Sequence, residues 1–383
     1  MSPSHRIESI VCQPDLVAVE WASGAVSEFA SLWLRDNLPE DRDLHSGQRL
    51  VDIADLPERP RIRSATVRDG ALCIEWEQET RPAAFDLEWL AGQAAGADCA
   101  RPEVAPKRWL HGAQIDVVRD FAWAALAAAQ ADPDVRRVWL SQLLSDGIAF
   151  LRQVPPTDAG ILAAVSWIGR VAETNYGQVF DVRSVPQPEN LAYSDLGLGL
   201  HTDNPYRDPV PGFQVLHALQ VSPEGGDSLF ADGFALADHL RATDPAAFAL
   251  LTRTPVPFLY RSPDAELYAE RPLIQLSAGG EVTAVHYNSR SIAPLRIGAR
   301  DAAAFYGAYR QFARLLRYPR HQVNYRLTTG DLVVFDNHRV LHGRTRFSSA
   351  QFPRHLRGCY LTRDSVRSQA ALARRGCDRW AFP

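Results

Sequence analysis

Three residues, far apart in the chain, have the chemistry to hold one metal ion. His201-Thr202-Asp203 follows a glycine-rich approach, Leu196-Gly197-Leu198-Gly199-Leu200. In extended backbone, residues two apart point to the same face, so one imidazole and one carboxylate can grip an ion together. Among 11 histidines, such a triplet arises about once by chance, and it needs support from elsewhere. His342 supplies that support. Gly330-Asp331-Leu332-Val333-Val334-Phe335-Asp336-Asn337 reads as a turn and a buried strand, and His338-Arg339-Val340-Leu341-His342-Gly343-Arg344 follows it. Two histidines and one carboxylate form the facial triad of non-haem Fe(II), which leaves coordination positions for substrate and O2. Zinc favours four tetrahedral ligands, usually with more His or Cys. The competing readings are ordinary: His201 on a surface loop, His342 as a hydrogen-bonded core histidine, or His338 as the ligand in its place.

Downstream, Pro353-Arg354-His355-Leu356-Arg357-Gly358-Cys359-Tyr360 carries a second functional group. The planar fork of Arg354 suits a carboxylate, because it offers two parallel charge-assisted hydrogen bonds. Beside open iron positions it would suit a diacid co-substrate; the commoner fate of an arginine is a surface ion pair.

The elements that must position these groups are mostly strands. From Asn190 to Arg363, short strand-like runs recur between turns: Gly212–His217, Ser228–Phe230, Glu281–Tyr287, Asp331–Phe335 and His355–Thr362. Two helical patterns interrupt them, Ala235–Leu251 and Ala302–Leu316. Many short strands with few helices predict a β-sandwich or jelly roll. Helical patterns at Asp120–Ala129 and Asp134–Asp146 precede a short buried strand at Phe150-Leu151-Arg152. The first hundred residues are also β-rich, with Ala65–Arg68 and Ala71–Trp76 flanking Asp69-Gly70, a strong hairpin signal. The small-residue, Gly/Ala/Pro-punctuated stretch from Ala91 to Pro106 predicts a boundary between a domain over 1–98 and another over 107–383.

Composition narrows the function class. The chain has 383 residues, 46% of them hydrophobic, which is ample for a packed core. The net charge of −4 gives no general attraction to nucleic acid or anionic lipid. No run approaches the ~20 apolar residues of a membrane span, and the N-terminus lacks a signal-peptide core. Five cysteines without a CxxC pair read as reduced thiols in the cytoplasm. We therefore expect neither a nucleic-acid nor a membrane partner.

Taken together, His201-x-Asp203, Gly225-Gly226-Asp227-Ser228, Asp336-Asn337, His342-Gly343-Arg344 and Arg354-His355 resemble the Fe(II)/2-oxoglutarate dioxygenases of the taurine-dioxygenase superfamily. More narrowly, the chain resembles the γ-butyrobetaine dioxygenase family of carnitine biosynthesis. The similarity includes Leu32-Trp33-Leu34-Arg35-Asp36-Asn37 near the N-terminus. It implies a double-stranded β-helix (jelly-roll) catalytic domain with flanking helices, plus a small β-rich N-terminal domain. By the resemblance, His201, Asp203 and His342 hold Fe(II), and Arg354 holds the distal carboxylate of 2-oxoglutarate with Ser228 beside it. A trimethylammonium cage falls on Tyr176, Phe180, Tyr193 and Tyr360, and Asn190 and Asn288 fall where the substrate carboxylate is bound. A quaternary ammonium has no N–H to donate and is held by π-faces, at about 0.5–2 kcal/mol per good contact. The implied reaction is hydroxylation of γ-butyrobetaine at C3 to L-carnitine, with O2 consumed, succinate and CO2 released, and ascorbate as reductant. The family tendency is a homodimer.

Two departures stand out. Family members bind a structural zinc through three cysteines and a histidine near the N-terminus; here those places hold Leu38, Glu40, Asp43 and Thr80, so a zinc site there is not expected. Phe180 stands where a tryptophan often lines the cage, and Phe has the weaker π-face. The alternatives to γ-butyrobetaine are trimethyllysine or a trimethylammonium alkylphosphonate, the latter suggested by Arg290. Rivals of another class are a non-catalytic betaine-binding jelly roll and a zinc hydrolase.

Overall fold

The computed structural model describes residues 6–80, 83–94, 104–111, 121–122, 133–184, 194–348 and 354–375. They divide into two compact units, one within residues 1–103 and one within 104–377. The first holds two three-stranded antiparallel sheets. One is β1 (Ile7–Gln13), β2 (Leu16–Trp21) and β3 (Val26–Ala30); the other is β4 (Ile62–Arg68), β5 (Ala71–Trp76) and β6 (Ala83–Asp86). Alternation along the strands sends Val17, Val19, Trp21, Leu72, Ile74, Trp76 and Phe85 into one core. The β4–β5 hairpin turns on Asp69 and Gly70, both at positive φ (49° and 79°), as a two-residue turn matched to strand twist requires.

The second unit is a jelly roll. Its strands are β7 (Ile148–Leu151), β8 (Val171–Ala172), β9 (Phe180–Arg183), β10 (Leu198–His201), β11 (Phe213–Gln220), β12 (Ser228–Asp232), β13 (Val256–Ser262), β14 (Ala265–Arg271), β15 (Ile274–Leu276), β16 (Val282–Val285), β17 (Val323–Tyr325), β18 (Leu332–Asp336), β19 (Val340–Arg344) and β20 (His355–Leu361). One sheet runs β10-β19-β12-β17; the larger runs β7-β18-β11-β20-β8, with β9 also paired to β20. Strands β11 and β18 are buried along nearly their whole length, which is why they read as continuous apolar runs rather than alternating ones. Helices Pro133–Asp146, Asp158–Val165 and Arg363–Arg375 flank the larger sheet.

The helical pattern read over Ala235–Leu251 is two helices, Gly233–Thr243 and Pro245–Arg253. Pro245 has no N–H to continue the first helix, and Asp244 turns extended (φ −148°) to cap the second through Ala247 N. The pattern at Ala302–Leu316 is one helix, Ala299–Arg317. Most of the pattern at 120–129 lies outside the described residues.

A buried ion-pair cluster ties the N-terminal unit together. The Arg35 side chain, on helix Ser31–Asp36, donates to Asp41 at 2.6 Å and to Glu79 at 2.7 Å. It thus links the loop after Asn37 to the segment after β5. Asp43 closes the loop locally by accepting from the backbone N–H groups of His45 and Ser46, and Leu38 is packed in the core. Removing the guanidinium strands two partly buried carboxylates, which typically costs a few kcal/mol. Arg35→Ala is therefore expected to destabilise this unit by about 2–4 kcal/mol, read as an early transition in thermal or urea unfolding; an unchanged profile would show that the cluster contributes nothing.

Candidate active site

The ligand candidates are brought together by strand register. In the β10–β19 pair, His201 lies directly opposite His342, after a register shift that adds one residue to β10 between Leu198 and His201. That extra residue places an imidazole, rather than Leu200, across from His342. The strands approach so closely that a Cβ at Gly343 would lie 2.5 Å from the Leu198 carbonyl oxygen, so the residue after His342 must be glycine. Asp203 lies beyond the end of β10, in a bend rather than in continued strand.

Two clamps hold this bend. The Asn337 side chain accepts from Asp203 N at 2.7 Å and donates to the carbonyls of Asp203 and Pro211, each at 3.0 Å. From the other side, Thr202 N donates to the Tyr287 carbonyl at 2.7 Å and Tyr287 N returns a bond to Thr202 Oγ1 at 3.0 Å. Asp336 accepts from Arg363 at 3.0 Å, so the Asp336-Asn337 dipeptide is a pin and a clamp. His338 turns away, its Nε2 3.4 Å from the Val210 carbonyl.

One nitrogen or oxygen from each of His201, Asp203 and His342 lies within 4.8 Å of the others, and among the described residues no other His/Cys/Asp/Glu group does this. His201 Nε2 is 3.2 Å from Asp203 Oδ1, and His342 Nε2 is 3.9 Å from Asp203 Oδ2. His201 Nδ1 is 2.9 Å from the Gly199 carbonyl, which can only accept, so Nδ1 carries the proton and Nε2 presents a lone pair. Burial pushes the His342 imidazole down to about 3, with His201 and Arg290 acting the same way and Asp203 opposing them. His201 is lowered for the same leading reason. Asp203 is held well below the usual carboxylate range: the neighbouring His342 and His201 and the Tyr360 hydroxyl outweigh its burial. All three groups are thus in their metal-binding protonation states at neutral pH.

The triad opens on a cavity of about 420 Å³. Strand β20 and the residue before it supply one wall by simple alternation. Arg354, Leu356, Gly358 and Tyr360 share a face; Arg354, Leu356 and Tyr360 line the cavity. Over Gly358 lies the Phe180 ring, 2.5 Å from where a Cβ would sit, so glycine is required there too. Ser228, on β12 and opposite Arg344 on β19, also lines the cavity. Burial and the neighbouring Arg344 push the Arg354 guanidinium down to about 10, partly offset by Asp227, and it stays charged at neutral pH. Two buried guanidiniums in one cavity favour an anionic ligand.

Aromatic rings form a connected wall. Phe180 is 5.2 Å from Tyr360 and 6.1 Å from Tyr176, and Tyr176 is 6.1 Å from Tyr260, which stacks on Tyr206 at 5.1 Å. The structure thus brings together three of the four rings proposed for the cage; Tyr193, like Asn190, lies outside the described residues. Tyr206 and Tyr260 were not anticipated, because an isolated tyrosine in a strand or loop reads as core. Asn288 lines the cavity, but one of its amide protons already goes to the Thr202 carbonyl at 3.1 Å, so it also fixes the ligand-bearing bend. Arg290 lines the cavity as well.

Residues 112–360 match the taurine catabolism dioxygenase TauD, TfdA family, and residues 12–91 match the γ-butyrobetaine hydroxylase-like N-terminal family. The chain belongs to the TauD, TfdA family, on a branch with that N-terminal domain. It is 35% identical to the γ-butyrobetaine dioxygenase of Pseudomonas sp. (strain AK-1), over 94% of each chain. It is 27% identical to the γ-butyrobetaine dioxygenase of Homo sapiens over 94% of each chain, and 25% identical to the trimethyllysine dioxygenase of Meyerozyma guilliermondii over 96% of each. The protein is a dioxygenase of the Fe(II)- and 2-oxoglutarate-dependent kind, and its two neutral imidazoles, one carboxylate and nearby guanidinium fit that pair of cofactors.

The imidazole shift has a measurable consequence. His342 stays neutral in the fold down to about pH 3, whereas in the unfolded chain it takes up a proton near pH 6.5. Unfolding therefore binds a proton as pH falls below about 6.5, and stability falls with it, by up to about 1.4 kcal/mol per pH unit. The melting temperature of the metal-free protein should drop from about pH 7 to about pH 5, and His342→Gln should flatten that slope; equal slopes would contradict the assignment.

Proposed function

We propose that this enzyme hydroxylates γ-butyrobetaine at C3 to give L-carnitine, using Fe(II), 2-oxoglutarate and O2 and releasing succinate and CO2. The observation that carries the reading is one cavity with a His/His/Asp centre, a buried guanidinium and a connected aromatic wall. Similarity to the two γ-butyrobetaine dioxygenases supports the choice of substrate. His201, Asp203 and His342 hold the metal in this reading. Arg354 takes the distal carboxylate of 2-oxoglutarate, with Ser228 beside it. Tyr176, Phe180, Tyr193 and Tyr360 receive the trimethylammonium group, and Asn190 and Asn288 the substrate carboxylate.

Bound to these three side chains, ferrous ion with its keto-acid and O2 supplies the oxidant that puts a hydroxyl on an unactivated C–H bond. The protein's part is position. The His201 Nδ1–H bond to Gly199 fixes one imidazole, and the Asn337 and Tyr287 clamps hold the carboxylate beside it. Arg354 and Tyr360 stand at opposite ends of one strand face, about 20 Å apart along the backbone at about 3.3 Å per residue, so diacid and cation are kept at separate ends. A cation cannot be mistaken for the diacid where two guanidiniums repel it.

The same reading makes the enzyme a homodimer acting in the cytoplasm on a small molecule, with no nucleic-acid or membrane partner. Cys12, Cys73 and Cys359 as free thiols are in keeping with a reducing compartment, and no described helix is long and apolar enough to cross a membrane. The proposed domain division, 1–98 and 107–383, is tested by expressing each piece alone.

The deciding experiment is a panel of γ-butyrobetaine, trimethyllysine and a trimethylammonium alkylphosphonate with Fe(II), ascorbate and 2-oxoglutarate, read by succinate release and product mass. γ-Butyrobetaine is expected to turn over best, and preference for either analogue would replace it. Arg290 on the cavity wall is the reason to include the phosphonate. Arg354→Ala should raise the KM for 2-oxoglutarate about 10- to 100-fold, the equivalent of one charge-assisted contact, while the substrate KM changes little. An unchanged co-substrate KM would remove Arg354 from its role.

A further inference from the structure

Tyr360 touches both ends of the chemistry. Its ring packs on Phe180 at 5.2 Å, within the aromatic wall. Its hydroxyl donates to Asp203 Oδ2 at 2.8 Å, while Oδ1 of the same carboxylate lies 3.2 Å from His201 Nε2. Tyr360 is 3% exposed, so no solvent competes for that bond, and the β11–β20 ladder opposite Gln214 fixes its backbone. The carboxylate is therefore held edge-on to the histidines: Oδ2, bonded by Tyr360, lies 3.9 Å from His342 Nε2, and Oδ1 lies beside His201.

We infer that Tyr360 is a positioning residue for the metal centre as well as a wall of the cation subsite: its hydroxyl fixes the orientation in which Asp203 faces His201 and His342, and its ring makes that orientation sensitive to the bound substrate. The first half stands on the hydrogen bond alone; the second rests on the proposed trimethylammonium substrate. Orientation matters because a ligating carboxylate that is free to turn presents its oxygens to the metal less well. Hydrogen-bonding partners of ligating groups typically change metal affinity 10- to 100-fold when removed. Sharing one rigid side chain between two subsites also makes occupancy of one felt at the other, and by linkage the effect is mutual.

The two functions separate chemically. Tyr360→Phe deletes one oxygen and keeps the ring; Phe180→Leu removes a neighbouring ring and leaves the hydroxyl. Anaerobic titrations of the apoprotein with Fe(II), and with Co(II) followed by its visible absorption, read the metal centre without turnover. Tyr360→Phe is expected to weaken metal binding about 10- to 100-fold and to alter the Co(II) spectrum, with the apoprotein melting within a few degrees of the native chain. Its KM for γ-butyrobetaine should stay within about threefold, since the π-face is intact. Phe180→Leu should do the reverse. In the native chain saturating γ-butyrobetaine should tighten metal binding, and this coupling should shrink in Tyr360→Phe. Metal affinity and Co(II) spectrum unchanged in Tyr360→Phe would overturn the positioning role. If γ-butyrobetaine neither turns over nor shifts metal affinity in the native chain while Tyr360→Phe still weakens the metal, the positioning role stands and the substrate assignment falls.

Discussion

A half-buried carboxylate set beside two buried imidazoles is the constraint from which the rest of this molecule follows. Taken out of water, the Asp203 charge is costly unless its oxygens are hydrogen-bonded or matched by positive charge. The fold meets that demand in part: Tyr360 donates to one oxygen, while the other faces the His201 lone pair and is left for a cation. The histidines resist taking the compensating proton, because their own burial and mutual repulsion keep them neutral. The site therefore holds a net negative charge flanked by two lone-pair donors. A divalent cation with open positions is the partner this arrangement matches, and a proton is a poor substitute.

Holding such a site requires that its parts not relax away from one another, and the jelly roll supplies that through backbone register. His201 and His342 are cross-strand neighbours on β10 and β19. Asp203, off the end of a strand, would be the loosest of the three, and it receives the most clamps, from Asn337 on one side and Tyr287 and Asn288 on the other. Glycine appears where backbone or ring must come closer than a side chain permits, at Gly343 against β10 and at Gly358 beneath Phe180. The motif residues that are not ligands are thus largely the means by which the ligands are kept in place.

What could be read from the sequence divides along the same line. The His201-x-Asp203 pair, the candidate His342, Arg354, the β-rich pattern and the β4–β5 hairpin were legible from residue type and local spacing, whereas the choice of His342 over His338 came from the family resemblance. The clamps were not legible. Asn337 was visible as part of a motif, but nothing local shows that its amide reaches Asp203, a contact made only by folding. Tyr206 and Tyr260 escaped for a different reason: an aromatic in a strand has the same sequence signature whether it fills a core or faces a ligand. Ala235–Leu251 read as one helical pattern; backbone chemistry at Pro245 divides it into two helices.

The N-terminal unit is held by a crosslink of its own, a guanidinium shared by two carboxylates. Arg35 reaches Asp41 and Glu79 from a helix whose Leu34 is part of the core, so the ion-pair cluster is anchored by apolar packing at its root. The catalytic centre and this remote loop thus share one physical dependence: in each, a carboxylate is held in place by donors that only folding brings to it, Tyr360 at Asp203 and Arg35 at Asp41 and Glu79.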